Sequence, residues 1–594
     1  CTPVVHYQAA NKLPLAKASV EIARQDLLVP ALRPLLALLR GHDRVPLLQG
    51  TSAFIRGGSD TVPFPDAAAE KKEPLGTDLK VRQASSAEKE KKGLLEKVLD
   101  DISDRIYPRP EASSQDVSRV VTQGGEDSDP VARERRDKIK EMTLHAWKGY
   151  KTYAWGRNEL RPVSRQWQTA GLFGARDMGA TLVDSLDTLF IMGLMDEFNE
   201  AKKWVEKELD FNLLRSEVSL FEVNIRFVGG LLSAYALTGE AIFRERALQI
   251  ATKLLPAFSS KSGIPFGLIN TGNGKTNNHR WANGGSSILS EFGTLHLEFL
   301  YLSDVTGRPV FREKVFKIAR PVGRGSHVSG DLFPNYMNPY NGQWGQRHTS
   351  LGAFGDSFYE YLIKSYIQSN STDTQAKELY EDAIGTITDR LVHKTRSGLI
   401  YLAESMGTSL IHKMDHLACF AGGMYALGAK YLPRPTSKRE MEIAEGIAQT
   451  CRETYARTAT GLGPDSFHFP QMGTGQEILP SARHYALRPE AIETWFYLWR
   501  LTKDQKYRDW AWDAAMALEK HCRVESGGFS GLSDVHRTNP HKDDVQQSFL
   551  LAETLKYLYL IFSSDSLISL DQWVFNTEAH PIPILGKNAL YRKA

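Results

Sequence analysis

The stretch TWFYLWRLTKDQKYRDWAWDAAMALEKHC, residues 494–522, carries the pattern on which the fold turns. An aromatic and aliphatic run is followed by a short polar turn. An aromatic residue and a second run rich in alanine complete it. This reads as two helices joined by a tight turn, with apolar residues at helical spacing. The plan recurs at GGLLSAYALTGEAIFRERALQIATKLL (229–255) and at LEFLYLSDVTGRPVFREKVFKIA (297–319). Looser copies begin at Ser185, Ser357 and Ala421, and LAETLKYLYLIFSSD (551–565) reads as a solitary last helix. A helix hairpin cannot bury its apolar face alone, so such units must stack. An all-α fold follows, either as an open solenoid or as a closed ring of hairpins. The pattern alone does not choose between them.

Carboxylates recur where the first helix of a hairpin begins. In LRPEAIETWFYLWRLTKD (487–504), Pro489 suits the first helical position and places Glu490 and Glu493 in the first turn. Glu222 lies in SLFEVNIRFVGG, four residues before Arg226. Glu291 and Glu298, seven apart in SEFGTLHLEF, are expected on one helical face. Asp184 and Asp187, Asp356 and Glu360, Asp415 beside His416, and Glu553 also sit within apolar runs. Taken singly, each is explained as a helix cap or a local ion pair. Taken together they are not, because charges are rarely buried without partners. A ring would gather them at its centre. A cavity crowded with carboxylates and aromatics suits a sugar: one carboxylic acid protonates the leaving oxygen and a second carboxylate activates water. Such crowding also invites a cation, and oxygen ligands favour calcium.

Composition bounds these readings. The 594 residues are 42% hydrophobic and 24% charged, as in ordinary globular proteins. A net charge of +3 argues against nucleic acid as a partner. The four cysteines, Cys1, Cys419, Cys451 and Cys522, have no zinc-site spacing; one disulfide with cysteines left over suits the count, which assigns no pair. Asn370-Ser371-Thr372 is a glycosylation acceptor and points weakly to the secretory pathway. No transmembrane helix is read: LLVPALRPLLALLRG (27–41) is too short and is broken by Pro30, Arg33 and Pro34. A start at Cys1 rather than methionine is expected of a fragment or processed form, with a membrane anchor upstream. Residues 1–130, rich in charge, Pro, Gly and Ser, read as a stem with one amphipathic helix near 87–106. Residues 131–586 form the expected helical domain and 587–594 a tail.

Longer stretches resemble a known family. GARDMGATLVDSLDTLFIMGL, FEVNIRFVGGLLSAY, GGSSILSEFGTLHLEF, GDSFYEYLIKS, HKMDHLACFAGGM, LRPEAIETWFYLWRLT, QQSFLLAETLKYLYLIFSSD and FNTEAHPIPI are similar to segments of the class I α-1,2-mannosidases, glycoside hydrolase family 47. The likeness runs over roughly residues 135–585 and is greatest to the Golgi processing subgroup. It implies an (αα)7 barrel and a calcium-dependent, inverting exo-α-1,2-mannosidase that trims high-mannose N-glycans in the Golgi lumen. The luminal part would belong to a type II membrane protein.

The resemblance also implies roles. Glu222 matches the general acid, with Arg226 beside it. Asp356 matches a second group in proton transfer, and Glu490 the base, with Arg488 beside it. Thr577 matches the residue that binds calcium through carbonyl and hydroxyl, and Glu493 and Glu578 match carboxylates that hold its waters. Glu291 and His416 match residues lining the sugar site. Cys419 and Cys451 match a disulfide pair, which leaves Cys522 unpaired and Cys1 in the stem. Two positions depart from the endoplasmic-reticulum members: Gln547 near the metal, where those have glutamate, and Phe354 before the GDS match, where those have arginine. Phe354, at a position that influences which mannose branch is accepted, argues against reticulum-type specificity. The rival readings are a reticulum-type mannosidase or degradation factor, a silent glycan-binding protein, and a toroid unrelated to carbohydrate. Oligomeric state cannot be read from the sequence.

Overall fold

The computed structural model describes residues 125–169, 171–324, 331–470 and 476–594. Fourteen helices organise them, alternating between an inner and an outer layer. The inner helices are α2 (Ala180–Ile191), α4 (Leu220–Thr238), α6 (His296–Thr306), α8 (Asp356–Gln368), α10 (Ala421–Tyr431), α12 (Glu490–Thr502) and α14 (Leu555–Ile561). The outer helices are α1 (Pro130–Tyr153), α3 (Met195–Lys207), α5 (Ala241–Leu254), α7 (Pro309–Arg324), α9 (Thr374–Arg390), α11 (Ser437–Ala456) and α13 (Lys506–His521).

The two layers differ as their sequences do. All twelve residues of α2 are buried, as are Glu490 to Arg500 of α12. Such helices are apolar all round because neighbours cover every face. Outer helix α3 buries only Phe198, Ala201 and Val205, one stripe of its surface. Each inner helix packs on the next, and the segment leading into α14 packs back on α2, while α1 covers α14 from outside. The ring is therefore closed by the first and last elements. The solitary helix of residues 551–565 finds its outer partner at the other end of the domain. Helix α4 is long and apolar enough to cross a membrane, but 83% of that window is buried in the ring wall.

The hairpin turns explain the repeat. Gly239 and Gly307 end α4 and α6 with φ of +77° and +63°, the left-handed conformation that glycine adopts at low cost. Lys503 takes the same place after α12 at φ +61° without a glycine. Seven small antiparallel sheets of two or three strands lie in the loops among the described residues. One hairpin, Trp573–Phe575 with Pro581–Pro583, is buried and contacts α4, α6 and α8. It carries Asn576 to His580 at its turn into the ring.

Several expectations need adjustment. Pro489 is the N-cap of α12 rather than its first residue, so Glu490 itself begins the helix. Glu291 and Glu298 do not share a helix: Glu291 lies in a short turn, Leu289–Gly293, and the chain leaves helical geometry at Thr294 and Leu295 before α6. Cys419 and Cys451 are joined, tying the entry of α10 to α11, and Cys522 is a buried free thiol. Residues ahead of α1 already pack on the ring: the Gly125 carbonyl accepts from Ser564 N at 3.1 Å and Asp127 pairs with Arg508. At the other end, Tyr591 and Ala594 both bond to Asp304. Asn370 is exposed just after α8, at φ +55°. The helix expected near 87–106, and Cys1, lie outside the described residues.

Candidate active site

Three corners of the ring interior hold the carboxylates. In the first, Ser219 caps the start of α4, accepting from Glu222 N at 3.2 Å. A π-turn over Asn224–Val228 follows, in which Arg226 points its guanidinium at several acceptors. Arg226 Nε donates to Glu222 at 3.0 Å. Its Nη1 reaches Ser548 Oγ at 3.2 Å, Asp184 at 3.5 Å, and Glu578. The Glu222 side chain keeps 18% exposure, whereas Asp184 is fully enclosed.

The second corner is the start of α12. His416 Nδ1 lies 2.5 Å from Glu490 Oε2, and an ionised carboxylate there can only accept. The other ring nitrogen, Nε2, is 2.7 Å from the Tyr455 hydroxyl. His416 is fully buried and uses both nitrogens within the protein, so it stands behind Glu490 rather than facing a sugar. Arg488 Nη1 is 3.6 Å from Glu490 and also grips Asp465. Burial pushes the Glu490 carboxyl up, but the His416 bond and charge and the Arg488 charge outweigh it, and the group sits below its ordinary value.

The third corner joins α8 to the floor. Asp356 begins α8 and accepts from Ser357 N at 2.8 Å. Burial, with the negative charges of Glu360 and Glu490, pushes it up to about 7 despite the Ser357 bonds. Below it, Lys364 binds Glu360 and lies 3.7 Å from Glu493. Glu493 is pushed up to about 8 by burial, with Lys364 opposing. Glu553 and Glu578 are also raised, by burial and by one another's neighbourhood of carboxylates. Lys364 and Arg226 do not balance this floor.

A cation fits that imbalance. Among the described residues no three His, Cys, Asp or Glu converge as a metal cluster. Direct ligands would thus come from other oxygens. Thr577, at the tip of the inserted hairpin, is partly exposed between buried Asn576 and Glu578. Gln547 is partly exposed beside buried Ser548.

Glu291 lies between the first and third corners, since its helical turn packs on the start of α4 and on α8. One oxygen meets His279 Nε2 at 3.1 Å and the other is buried without a partner. Phe354, at φ +82°, packs its ring in tilted contact 5.5 Å from Trp281 and 6.0 Å from Tyr336. Trp281 is 60% exposed, leaving an aromatic face open beside Glu291. Glu298, by contrast, is structural: Tyr361, Asn224 and Asn576 all donate to it.

Some site residues had no sequence signal. Lys364 is a lysine within an apolar run, and Tyr455 comes from outer helix α11 to back His416. His580 and Lys556 join Asp184 and Asp187 in a wholly buried charge cluster. The Asp184/Asp187 pair was visible as two acids in an apolar run, but its cationic partners lie nearly four hundred residues away.

The sequence profile described as Glycosyl hydrolase family 47 matches residues 142–584. Mannosyl-oligosaccharide alpha-1,2-mannosidase IA of Drosophila melanogaster is 50% identical over 505 residues, 83% of this chain and 75% of that protein. Mannosyl-oligosaccharide 1,2-alpha-mannosidase IA of Sus scrofa is 55% identical over 463 residues, 78% of this chain and 70% of that protein. Among solved structures, an alpha-1,2-mannosidase from Trichoderma reesei aligns with a TM-score of 0.70 at 29% identity, covering 76% of this chain and 99% of that one. The chain belongs to glycosyl hydrolase family 47, the class I α-1,2-mannosidases that its motifs resemble.

Proposed function

We propose that this chain removes terminal α-1,2-linked mannose from high-mannose N-glycans, with inversion at the anomeric carbon and dependence on calcium. The observation that carries the reading is the opposed state of two buried carboxylates. Glu490 is held ionised by His416 and Arg488, as a base requires, while Asp356 is raised to about 7 and holds a proton below that pH. Glu222 serves as general acid toward the leaving oxygen, with Asp356 assisting proton transfer through water. Glu490 takes a proton from the attacking water. Arg226, Glu291, Arg488 and Phe354 line the sugar site, the open face of Trp281 offers a stacking surface, and His416 acts through Glu490.

Calcium would rest on the carbonyl and hydroxyl of Thr577, with Glu493, Gln547 and Glu578 holding its waters; bound there, it supplies charge compensation and fixes sugar hydroxyls. The names of the relatives support the substrate class. The Golgi lumen is the proposed compartment, with the residues ahead of Gly125 as a stem below a membrane anchor and a catalytic domain that extends the expected 131–586 to take in the packed residues 125–130 and 587–594. Digestion of a nine-mannose glycan tests the reading. Progress to five mannoses supports it, accumulation after one cut favours a reticulum-type enzyme, and no release of mannose sinks it.

A further inference from the structure

The buried charge cluster at the ring closure ends on the corner that holds Glu222. Lys556 of α14 donates to Asp187 at 3.1 Å and to the Ala579 carbonyl at 2.6 Å. His580 bridges the two aspartates of α2, with Nδ1 2.9 Å from Asp187 and Nε2 3.4 Å from Asp184. The second oxygen of Asp184 accepts from the Ser548 hydroxyl and faces Arg226. Asp184, Asp187, His580 and Lys556 are each fully enclosed, so none can be a ligand for sugar.

Enclosing four ionisable groups is costly unless they are paired, and here each is. What the pairing achieves is orientation. A guanidinium is a rigid planar fork, so fixing one edge fixes the other. Asp184, Ser548 and Glu578 all meet Arg226 at Nη1, with Ser548 held in turn by Asp184, and the Nε edge then presents to Glu222. Arg226 stands in a π-turn, and the segment entering α14 just after Ser548 is the other π-turn among the described residues. Such turns are uncommon and concentrate at functional sites.

We infer that Asp184 and Ser548 are positioning residues for the proton-donating corner: they hold the plane of Arg226, and through it the orientation of Glu222. The inference rests on the proposed role of Glu222 as general acid. The test compares two substrates. α-1,2-Mannobiose needs a proton at its leaving oxygen; α-mannosyl fluoride releases fluoride without one. Asp184→Asn and Ser548→Ala should each lower kcat on mannobiose about tenfold or more with KM within about threefold, and lower turnover of the fluoride less than about threefold. Ser548→Thr, which keeps the hydroxyl, should restore the mannobiose rate. Equal losses on both substrates, as a merely structural role would give, or no loss on either, overturn the inference. If Asp184→Asn fails to fold, Ser548→Ala decides alone. Glu222→Gln run alongside separates the two claims. If it shows the substrate difference and Asp184→Asn and Ser548→Ala do not, only the positioning role falls; if it too shows none, the acid role falls.

Discussion

Glu490 and Glu493 occupy one turn of α12, both buried, both near the positive end of the same helix. Their environments drive them apart. Glu490 lies below its ordinary value and Glu493 is pushed up to about 8. Burial penalises the charge of each. The difference lies in the partners. Two cations reach Glu490, His416 at 2.5 Å and Arg488, which it shares with Asp465, whereas Glu493 shares its one cation, Lys364, with Glu360 and faces the charge of Glu490. Helix position therefore does not assign a carboxylate its role; the cations that reach it do. The α12 corner keeps an ionised carboxylate, and the floor beneath it holds more carboxyls than its own cations keep ionised.

The largest expected effect concerns the floor. Exhaustive chelation should abolish glycan trimming and lower the melting temperature, and added calcium should restore both, since a ligand of the native state stabilises it by mass action. Full activity in protein shown to be metal-free would mean that protonation alone relieves the crowding. On the other side of the comparison, Glu490→Gln should reduce kcat by about a hundredfold or more, the scale of a lost acid–base group, with KM little changed. A small effect on kcat would remove Glu490 from the chemistry.

The pH profile sharpens the contrast. The base must be ionised, so activity should fall as pH drops through the lowered Glu490 value, below the ordinary 4.5. Asp356 must hold its proton, so activity should fall as pH rises through about 7. His416→Ala removes the chief partner of the Glu490 anion, so the acid limb should move to higher pH while the alkaline limb stays. An unmoved acid limb would separate His416 from the state of Glu490. The smallest effect is expected away from both corners. Replacing Cys419 and Cys451 together by serine opens a link spanning 32 residues. Stability in denaturant titration should drop by about 2–4 kcal/mol, with activity per folded molecule retained. A matching loss of kcat would show that the link shapes the Glu490 corner.

The hairpin repeat and its carboxylates were legible because helical spacing and turn residues are local. Thr-Gly at 238–239 and 306–307 marks two of the turns directly. Closure of the ring was not, since it depends on the segment entering α14 packing on α2, and on α1 covering α14, across the whole domain. Nor was the break at Thr294, which separates Glu291 from Glu298: nothing in SEFGTLHLEF but a glycine interrupts the apolar period. The Asn224–Val228 π-turn leaves no trace in composition, because one extra residue per turn changes hydrogen bonding rather than residue type. His416 was visible as a polar residue in an apolar run. Its place behind Glu490 depends on Tyr455, which arrives from another hairpin.

The central claim is that Glu490, kept ionised at the start of α12, activates water for direct displacement of an α-1,2-linked mannose. Proton NMR of α-1,2-mannobiose during the first minutes of hydrolysis reads the outcome at the anomeric carbon. The account predicts that newly released mannose from the non-reducing end appears first as the β-anomer and only later equilibrates. Initial appearance of the α-anomer would indicate retention through a covalent intermediate and contradict the role given to Glu490.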